Sequence, residues 1–111
     1  MDPFSLDISQ AAGRTRLAVR GELDMDSAPQ LLEAIVLAHQ TVGGDVTLDL
    51  RDVTFMDSRG LAAMITAHRQ LAREQARLRL LNPCPAVAAV LEITGVGPLF
   101  DVEPVGSGSI G

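Results

Sequence analysis

Ser58 places a hydroxyl between a carboxylate and a guanidinium, within the seven residues FMDSRGL at positions 55–61. Helix signals begin at this serine, so its side chain is predicted to cap the helix. The first backbone N–H groups of a helix lack partners and lie at the positive end of the helix dipole. A phosphate on Ser58 would meet these donors, so the site is predicted to hold either a hydroxyl or a dianionic phosphate. The pattern makes Ser58 a candidate switch.

Ser58 is also a candidate catalytic nucleophile. The nucleophile elbow of α/β-hydrolases places serine between a strand and a helix as G-x-S-x-G, but Met56 stands at the first glycine position here. A triad needs a histidine base. His39 lies on another predicted helix, and His68 lies ten residues along the Ser58 helix, about 15 Å away at 1.5 Å per residue. We therefore expect no enzyme activity.

Acidic residues are the candidates for a metal site. Asp24 and Asp26 form one group, and Asp49, Asp52 and Asp57 form another. A weak Mg²⁺ site would require Asp49 and Asp57 to flank the end of one strand. Solvated acids in loops are far commoner, and this is what we expect for these residues. The glycine-rich segments match neither G-x-G-x-x-G nor a Walker motif, so no metal and no cofactor are expected.

The composition fits one small acidic domain. The chain has 111 residues, of which 47% are hydrophobic, and a net charge of −5. Its nine basic residues are all arginine and are scattered from Arg14 to Arg79, without the basic cluster of a nucleic-acid-binding surface. The single cysteine, Cys84, excludes an internal disulfide. No signal-peptide pattern and no apolar run of about 20 residues occur, so we expect a cytoplasmic protein that does not bind membranes.

Apolar periodicity predicts strands that alternate with helices. Period-two runs predict strands at residues 4–9, 14–20, 46–50, 77–81 and 99–102. Helical spacing predicts a helix from Asp26 or Ser27 to Gly43-Gly44, a second from Ser58 to about Gln75 and a third over 86–94. The order β-β-α-β-α-β-α-β indicates an α/β fold, with a mixed, mostly parallel sheet of four to five strands packed against helices.

Apolar residues also continue beyond the third predicted strand and form one face of the helix that starts at Ser58. Val53 and Phe55 continue the apolar pattern of the third strand beyond a polar kink at Arg51-Asp52. The helix that starts at Ser58 has one predicted apolar face, formed by Leu61, Met64, Ile65, His68, Leu71 and Ala72. We predict one domain over residues 1–103 and a flexible Gly/Ser tail over 104–111.

Two segments resemble the STAS domain of bacterial anti-sigma factor antagonists. One is Gly21-Glu22-Leu23-Asp24, and the other is FMDSRGL at 55–61, with its Asp-Ser-x-Gly-Leu core. The strand VTLDL at 46–50 lies between them, and the likeness extends from about residue 4 to residue 102 in order and spacing. Because the two motifs are independent, together they indicate this family more strongly than either alone.

The resemblance implies a partner-switching function. Ser58 matches the serine that is phosphorylated by an anti-sigma factor that is also a serine kinase. In this family the unmodified antagonist binds that partner and frees a sigma factor, the phosphorylated form does not bind, and a metal-dependent serine phosphatase restores it. Asp24 matches a partner-binding loop, and Asp57 adjoins the phosphosite. The expected partner-binding residues are Asp24, Asp57, Ser58, Arg59, Gly60 and Leu61.

Two departures from the family pattern qualify this expectation. Arg59 replaces the small residue that often follows the phosphoserine, and its guanidinium can pair with a phosphate, with Asp57 or with an acidic partner. The family usually has another helix after the last strand, whereas Pro104-Val105 and the Gly/Ser tail follow here. We expect a monomer or a weak homodimer. The alternative functions are a STAS scaffold or nucleotide sensor in another signalling complex, and a small hydrolase that uses Ser58.

Overall fold

In the part of the chain that the structure describes, five β-strands form one sheet in the order in which they occur in the sequence. The structure is a computed structural model and describes residues 4–103. Its strands are β1 (Ser5–Ala11), β2 (Arg14–Leu23), β3 (Val46–Met56), β4 (Leu78–Leu81) and β5 (Asp101–Glu103). β1 pairs antiparallel with β2, and the three following pairs are parallel. The predicted mixed, mostly parallel sheet is therefore confirmed.

Three α-helices connect the parallel strands, and the predicted order of elements is confirmed. They are α1 (Ala28–Val42), α2 (Ser58–Arg73) and α3 (Pro85–Thr94), with a short 3₁₀ helix at Gly97–Leu99 before β5. Each crossover leads to the next strand on the same side, so right-handed crossovers place all three helices on one face of the sheet. Within residues 4–103, no helix is long and apolar enough to cross a membrane.

The hydrophobic core lies between the sheet and these helices. β2 alternates strictly, with Leu17, Val19 and Leu23 buried and Arg16 and Arg20 exposed on the opposite face. β4 alternates in the same way, and Val46, Leu48 and Leu50 of β3 are buried on the same face as the apolar residues of β2, so the sheet has one apolar and one polar face. The helices add further buried side chains to this core, among them Leu31, Ile35, Met64, Leu71, Val87 and Leu91.

β3 is a single strand of eleven residues, so the polar kink at Arg51-Asp52 does not end it. Two register shifts occur where β3 pairs with β2. Each shift adds one residue to β3, and Leu50, Val53 and Met56 are therefore buried at a spacing of three rather than two. The irregular spacing that the sequence shows here is the signature of these bulges, which carry β3 as far as the start of α2.

Several predicted boundaries and faces need correction. β2 extends beyond Arg20 to Leu23, because its last residue pairs with Met56 of the lengthened β3. The last strand starts later than predicted, at Asp101, because residues 97–99 form the 3₁₀ helix. Ala72, predicted on the apolar face of α2, is exposed. The predicted tail at 104–111 lies outside the described residues.

Candidate functional site

Asp57, rather than Ser58, caps α2. Its Oδ1 accepts hydrogen bonds from the backbone N–H groups of Arg59 at 2.8 Å and Gly60 at 3.1 Å. Asp57 has the extended backbone of an N-cap residue, with φ −104° and ψ −173°, whereas Ser58 is already the first helical residue. The prediction that the Ser58 side chain caps the helix is therefore wrong, because the residue that leaves the strand carries the capping oxygen.

This cap changes what a phosphate on Ser58 would encounter. A helix starts with four backbone N–H groups that lack intrahelical partners, here those of residues 57–60. Three of them are bonded: those of Arg59 and Gly60 to the Asp57 carboxylate, and that of Asp57 to the Leu23 carbonyl oxygen at 3.0 Å. The cluster of free donors expected from the sequence is thus mostly occupied. Ser58 itself is exposed, beside a carboxylate that already neutralises the helix start.

The loop that follows β2 is held by its own polar groups. Asp24 Oδ1 accepts from the backbone N–H groups of Asp26 at 3.0 Å and Ser27 at 3.2 Å. The Ser27 hydroxyl donates to the Glu22 carbonyl oxygen at 2.6 Å and accepts from the Asp24 N–H at 3.0 Å. Ser27 is in the N-cap position of α1, but its side chain makes no capping bond because it is turned into this loop. These contacts give the Asp24 loop a defined shape.

Close packing joins the Asp24 loop to the start of α2. A Cβ atom at Gly60 would lie 2.8 Å from both the Cβ and the carbonyl oxygen of Leu23, and 3.0 Å from Cγ of Met56. Glycine is therefore needed for the first turn of α2 to rest on the end of β2. Leu61, only 7% exposed, packs into the core beside it.

The six sequence-predicted site residues thus lie in one region but differ in exposure. Ser58 and Arg59 are exposed, and Asp24 and Asp57 are partly buried with one carboxylate oxygen each engaged by backbone N–H groups. Gly60 and Leu61 are buried, so the structure assigns them to the support of the site rather than to its open surface.

Two exposed apolar residues, Met25 and Phe55, adjoin these site residues in the sequence. Met25 follows Asp24 in the loop and is 58% exposed. Phe55 lies near the end of β3, is paired with Glu22 of β2, and is 45% exposed. Met25 directly follows the Gly21–Asp24 motif and Phe55 is the first residue of FMDSRGL, but apolar periodicity assigned Phe55 to the strand pattern. The site therefore combines a hydroxyl, acids and exposed apolar area.

Asp49 is neither a loop acid nor a partner of Asp57 in a metal site. It lies in β3 on the polar face of the sheet, and its Oδ2 accepts from Arg16 Nη2 at 2.6 Å. Its Oδ1 accepts from the Arg51 N–H at 3.1 Å and from Asn82 Nδ2 at 3.4 Å. Burial by itself raises the pKa of Asp49, but these bonds and the Arg16 charge outweigh it and hold the pKa below 3.8. Residues 4–103 contain no group of three or more metal-ligating side chains.

His68 packs away from Ser58, on the inner side of α2. Its ring meets Phe100 edge-on, with 5.6 Å between ring centroids and an interplanar angle of 73°. The Nδ1 atom is buried and has no hydrogen-bond partner among the described residues. The contact with Phe100 explains the histidine on the apolar face as a packing residue.

The described fold matches known proteins along nearly its whole length. The family model described as "Mlab, STAS domain" matches residues 6–101. The anti-sigma-B factor antagonist of Bacillus subtilis (strain 168) is 30% identical over 108 residues, which cover 96% of this chain and 97% of that protein. Both matches include the Asp24 loop and the start of α2.

Solved structures show the same fold at lower identity. The unphosphorylated form of the anti-sigma factor antagonist SpoIIAA superimposes with a TM-score of 0.78 at 23% identity, covering 96% of this chain and 92% of that one. The phosphorylated form of the Bacillus cell fate determinant SpoIIAA gives 0.72 at 23% identity, covering 96% of each chain. Together, the family match and the similarity to the B. subtilis protein show that this chain belongs to the STAS-domain family of anti-sigma factor antagonists.

Proposed function

We propose that this protein is a partner-switching antagonist that acts by binding and is turned off by phosphorylation at Ser58. The unmodified protein binds an anti-sigma factor with serine kinase activity and so releases a sigma factor, and a metal-dependent serine phosphatase reverses the modification. The observation that carries the proposal is the exposed Ser58 hydroxyl at the first position of α2, a helix whose first turn rests on Leu23, directly before the Asp24 loop. The relatives named as anti-sigma factor antagonists, and a structural neighbour solved in both phosphorylation states, support it.

The charge of a phosphate on Ser58 explains how partner binding is lost without a change in the fold of the domain. At neutral pH a phosphate adds about −1.5 to −2 charges. Beside Ser58, the Asp57 carboxylate already binds the N–H groups of Arg59 and Gly60, so these donors do not neutralise the new charge while the cap is intact. Burying the dianion in an interface without new cationic partners costs several kcal/mol. Since about 1.4 kcal/mol corresponds to a tenfold change in affinity, binding is lost.

The exposed apolar residues supply the attractive part of the interface. Met25, in the Asp24 loop, and Phe55, near the end of β3, give up water-exposed apolar area when a partner covers them. Exposed aromatic residues and methionine are enriched at protein–protein interfaces. We assign these two residues as anchors and Ser58 as the charge-sensitive position of the same interface.

Intact-mass spectrometry with the cognate anti-sigma factor kinase and ATP tests the proposal. The protein should gain the mass of one phosphate, and Ser58→Ala should gain none. Ser9→Ala, which removes another exposed serine from β1, is the matched control and should be modified like the original chain.

Binding is then measured by calorimetry for the unmodified and phosphorylated proteins. The unmodified protein should bind the kinase and the phosphorylated protein should not. A mass gain that persists in Ser58→Ala would refute the phosphosite. If the protein is never phosphorylated, and a pull-down from its native cell recovers other signalling proteins but no anti-sigma kinase, the protein is instead a STAS scaffold.

A further inference from the structure

The exposed face of α2 carries an unbalanced positive charge. The helix contains Arg59, Arg69 and Arg73 and no aspartate or glutamate, in a chain whose net charge is −5. At about 100° per residue the three arginines lie within an arc of about 80°, so they share one side of the helix. All three are exposed. They form a row about 21 Å long, which we call the arginine stripe.

No acidic side chain in the described part of the chain pairs with the arginine stripe. Within residues 4–103, none of its three guanidinium groups makes a hydrogen bond or an ion pair. Two arginines of the sheet differ in this respect, because Arg16 Nη2 lies 2.6 Å from Asp49 Oδ2 and Arg79 Nη2 lies 3.3 Å from Asp45 Oδ2. The charge and the N–H donors of the stripe are therefore available to a partner.

The stability of α2 does not explain these three positions. Arg59 lies in the first turn, where the positive end of the helix dipole disfavours a cation. Arg69 and Arg73 are four residues apart, so their like charges repel each other across one turn. Only Arg73, in the last turn, gains from the dipole. The arrangement is unfavourable for the helix at two places, which points to a role in binding rather than in folding.

The arginine stripe starts at the phosphorylation site proposed above. Ser58 directly precedes Arg59 in the first turn of α2, and both residues are exposed. Between Arg59 and Arg69 the same side of the helix carries Ala62 and Thr66, whose small exposed side chains allow another chain to approach closely. A partner bound at Ser58 therefore lies next to the row of positive charges.

We propose that the arginine stripe binds an acidic segment of the anti-sigma factor, whose aspartate or glutamate carboxylates pair with the guanidinium groups. This inference rests on the proposed function, because it assigns the charge of the partner segment that lies beside Ser58. A guanidinium group binds a carboxylate through two parallel hydrogen bonds, which adds orientation to the attraction between the charges. The positive row also disfavours partners whose facing surface is basic.

An acidic segment at this position gives a further physical reason for release on phosphorylation. A phosphate on Ser58 places about −1.5 to −2 charges next to the Arg59 end of the stripe. It repels the carboxylate of the partner there and competes with it for the Arg59 guanidinium. The same acidic segment thus accounts for attraction before phosphorylation and for repulsion after it.

Calorimetry with the cognate anti-sigma factor kinase tests the stripe at its far end. Arg69 and Arg73 lie about 15–21 Å from Arg59 along the helix axis, so their substitution leaves the phosphorylation site intact. Arg69→Gln/Arg73→Gln should weaken binding of the unmodified protein at least about tenfold and make it less sensitive to salt. Arg69→Glu/Arg73→Glu should weaken it further, because carboxylates then face carboxylates.

Arg14→Gln is the matched control for Arg69→Gln. Arg14 is also exposed, and it begins β2, at the end of that strand opposite to the Asp24 loop. Arg14→Gln should bind the kinase like the original chain, although it changes the net charge by the same amount as Arg69→Gln. Circular dichroism and urea denaturation establish that all variants are folded.

Nuclear magnetic resonance locates the contact independently of any variant. The Nε–H signals of Arg69 and Arg73 should shift when the kinase is added, while that of Arg14 should not. If the original chain binds the kinase but Arg69→Gln/Arg73→Gln binds equally well, or the Glu variant binds no more weakly than the Gln variant, the acidic segment is refuted and the switch at Ser58 stands. If the original chain does not bind the kinase at all, the proposed function fails, and this inference fails with it.

Discussion

The backbone N–H of Asp57 donates to the carbonyl oxygen of Leu23 at 3.0 Å, which joins the start of α2 to the end of β2. Leu23 directly precedes the Asp24 loop, and Asp57 directly precedes Ser58. Since Gly60 also rests on Leu23, the two motif segments form one packed unit. A change on one side of this contact is therefore expected to affect the other.

Ser58→Glu tests whether charge alone disables partner binding. The carboxylate should weaken binding to the anti-sigma factor at least about tenfold, whereas the neutral Ser58→Gln should retain most of it. Folding stability should not fall, because Ser58 is exposed and an acid in the first turn of a helix is favourable by about 0.3–1 kcal/mol. Calorimetric titration and urea denaturation measure the two effects. An equal loss of affinity in both variants would show that size, not charge, matters.

Asp57→Ala removes the cap of α2. Loss of the two bonds to Arg59 and Gly60 should lower the free energy of unfolding by about 1 kcal/mol, and Asp57→Asn, which keeps an acceptor oxygen, should lower it less. Asp52→Ala is a suitable control, because that carboxylate is exposed and lies 3.9 Å from Arg20 Nε. By urea denaturation, the free energy of unfolding of this control should lie within about 0.5 kcal/mol of that of the original protein. Equal losses at positions 52 and 57 would contradict the capping role.

Gly60→Ala tests the contact between α2 and β2. Alanine normally favours a helix over glycine by about 1 kcal/mol. Here its Cβ would overlap Leu23, and we expect a net destabilisation of about 1–3 kcal/mol. Gly97→Ala is the control, since its Cβ would lie 4.0 Å from Leu91 Cβ in ordinary contact. Thermal unfolding compares the two variants, and an unchanged or higher melting temperature in Gly60→Ala would refute the close approach.

The Asp49 network predicts a specific dependence on pH. The folded-state pKa of Asp49 lies below its usual 3.8, so its stabilising contribution is fully present above that value and is lost as the pH falls through the lower folded pKa. Asp49→Asn should lower the free energy of unfolding by about 1–2 kcal/mol near pH 7, because Arg16 loses its charged partner. The difference in free energy of unfolding between this variant and the original protein should become smaller below about pH 4. Urea denaturation across this range measures it, and a constant difference at every pH would contradict the prediction.

The sequence was informative about the order of elements because amphipathic periods of two and 3.6 are local properties. The sequence also singled out the segments around Asp24 and Ser58 through their resemblance to one family, and the structure brings these segments together where the parallel strands β2 and β3 end. The sequence did not identify the residue that caps α2. Asp57 and Ser58 both have side chains that cap helices, and only the backbone conformation, extended at Asp57, decides between them.

What the sequence by itself determined is the α/β class, the strand and helix order, and the presence of a hydroxyl between two charged residues. Tertiary structure alone decided that β3 contains two bulges, that Asp49 is bonded to Arg16 and Asn82, and that Gly60 lies against Leu23. These features join residues far apart in the chain. Local periodicity carries no information about such pairs, because they depend on the register between strands and on which surfaces meet when the core closes.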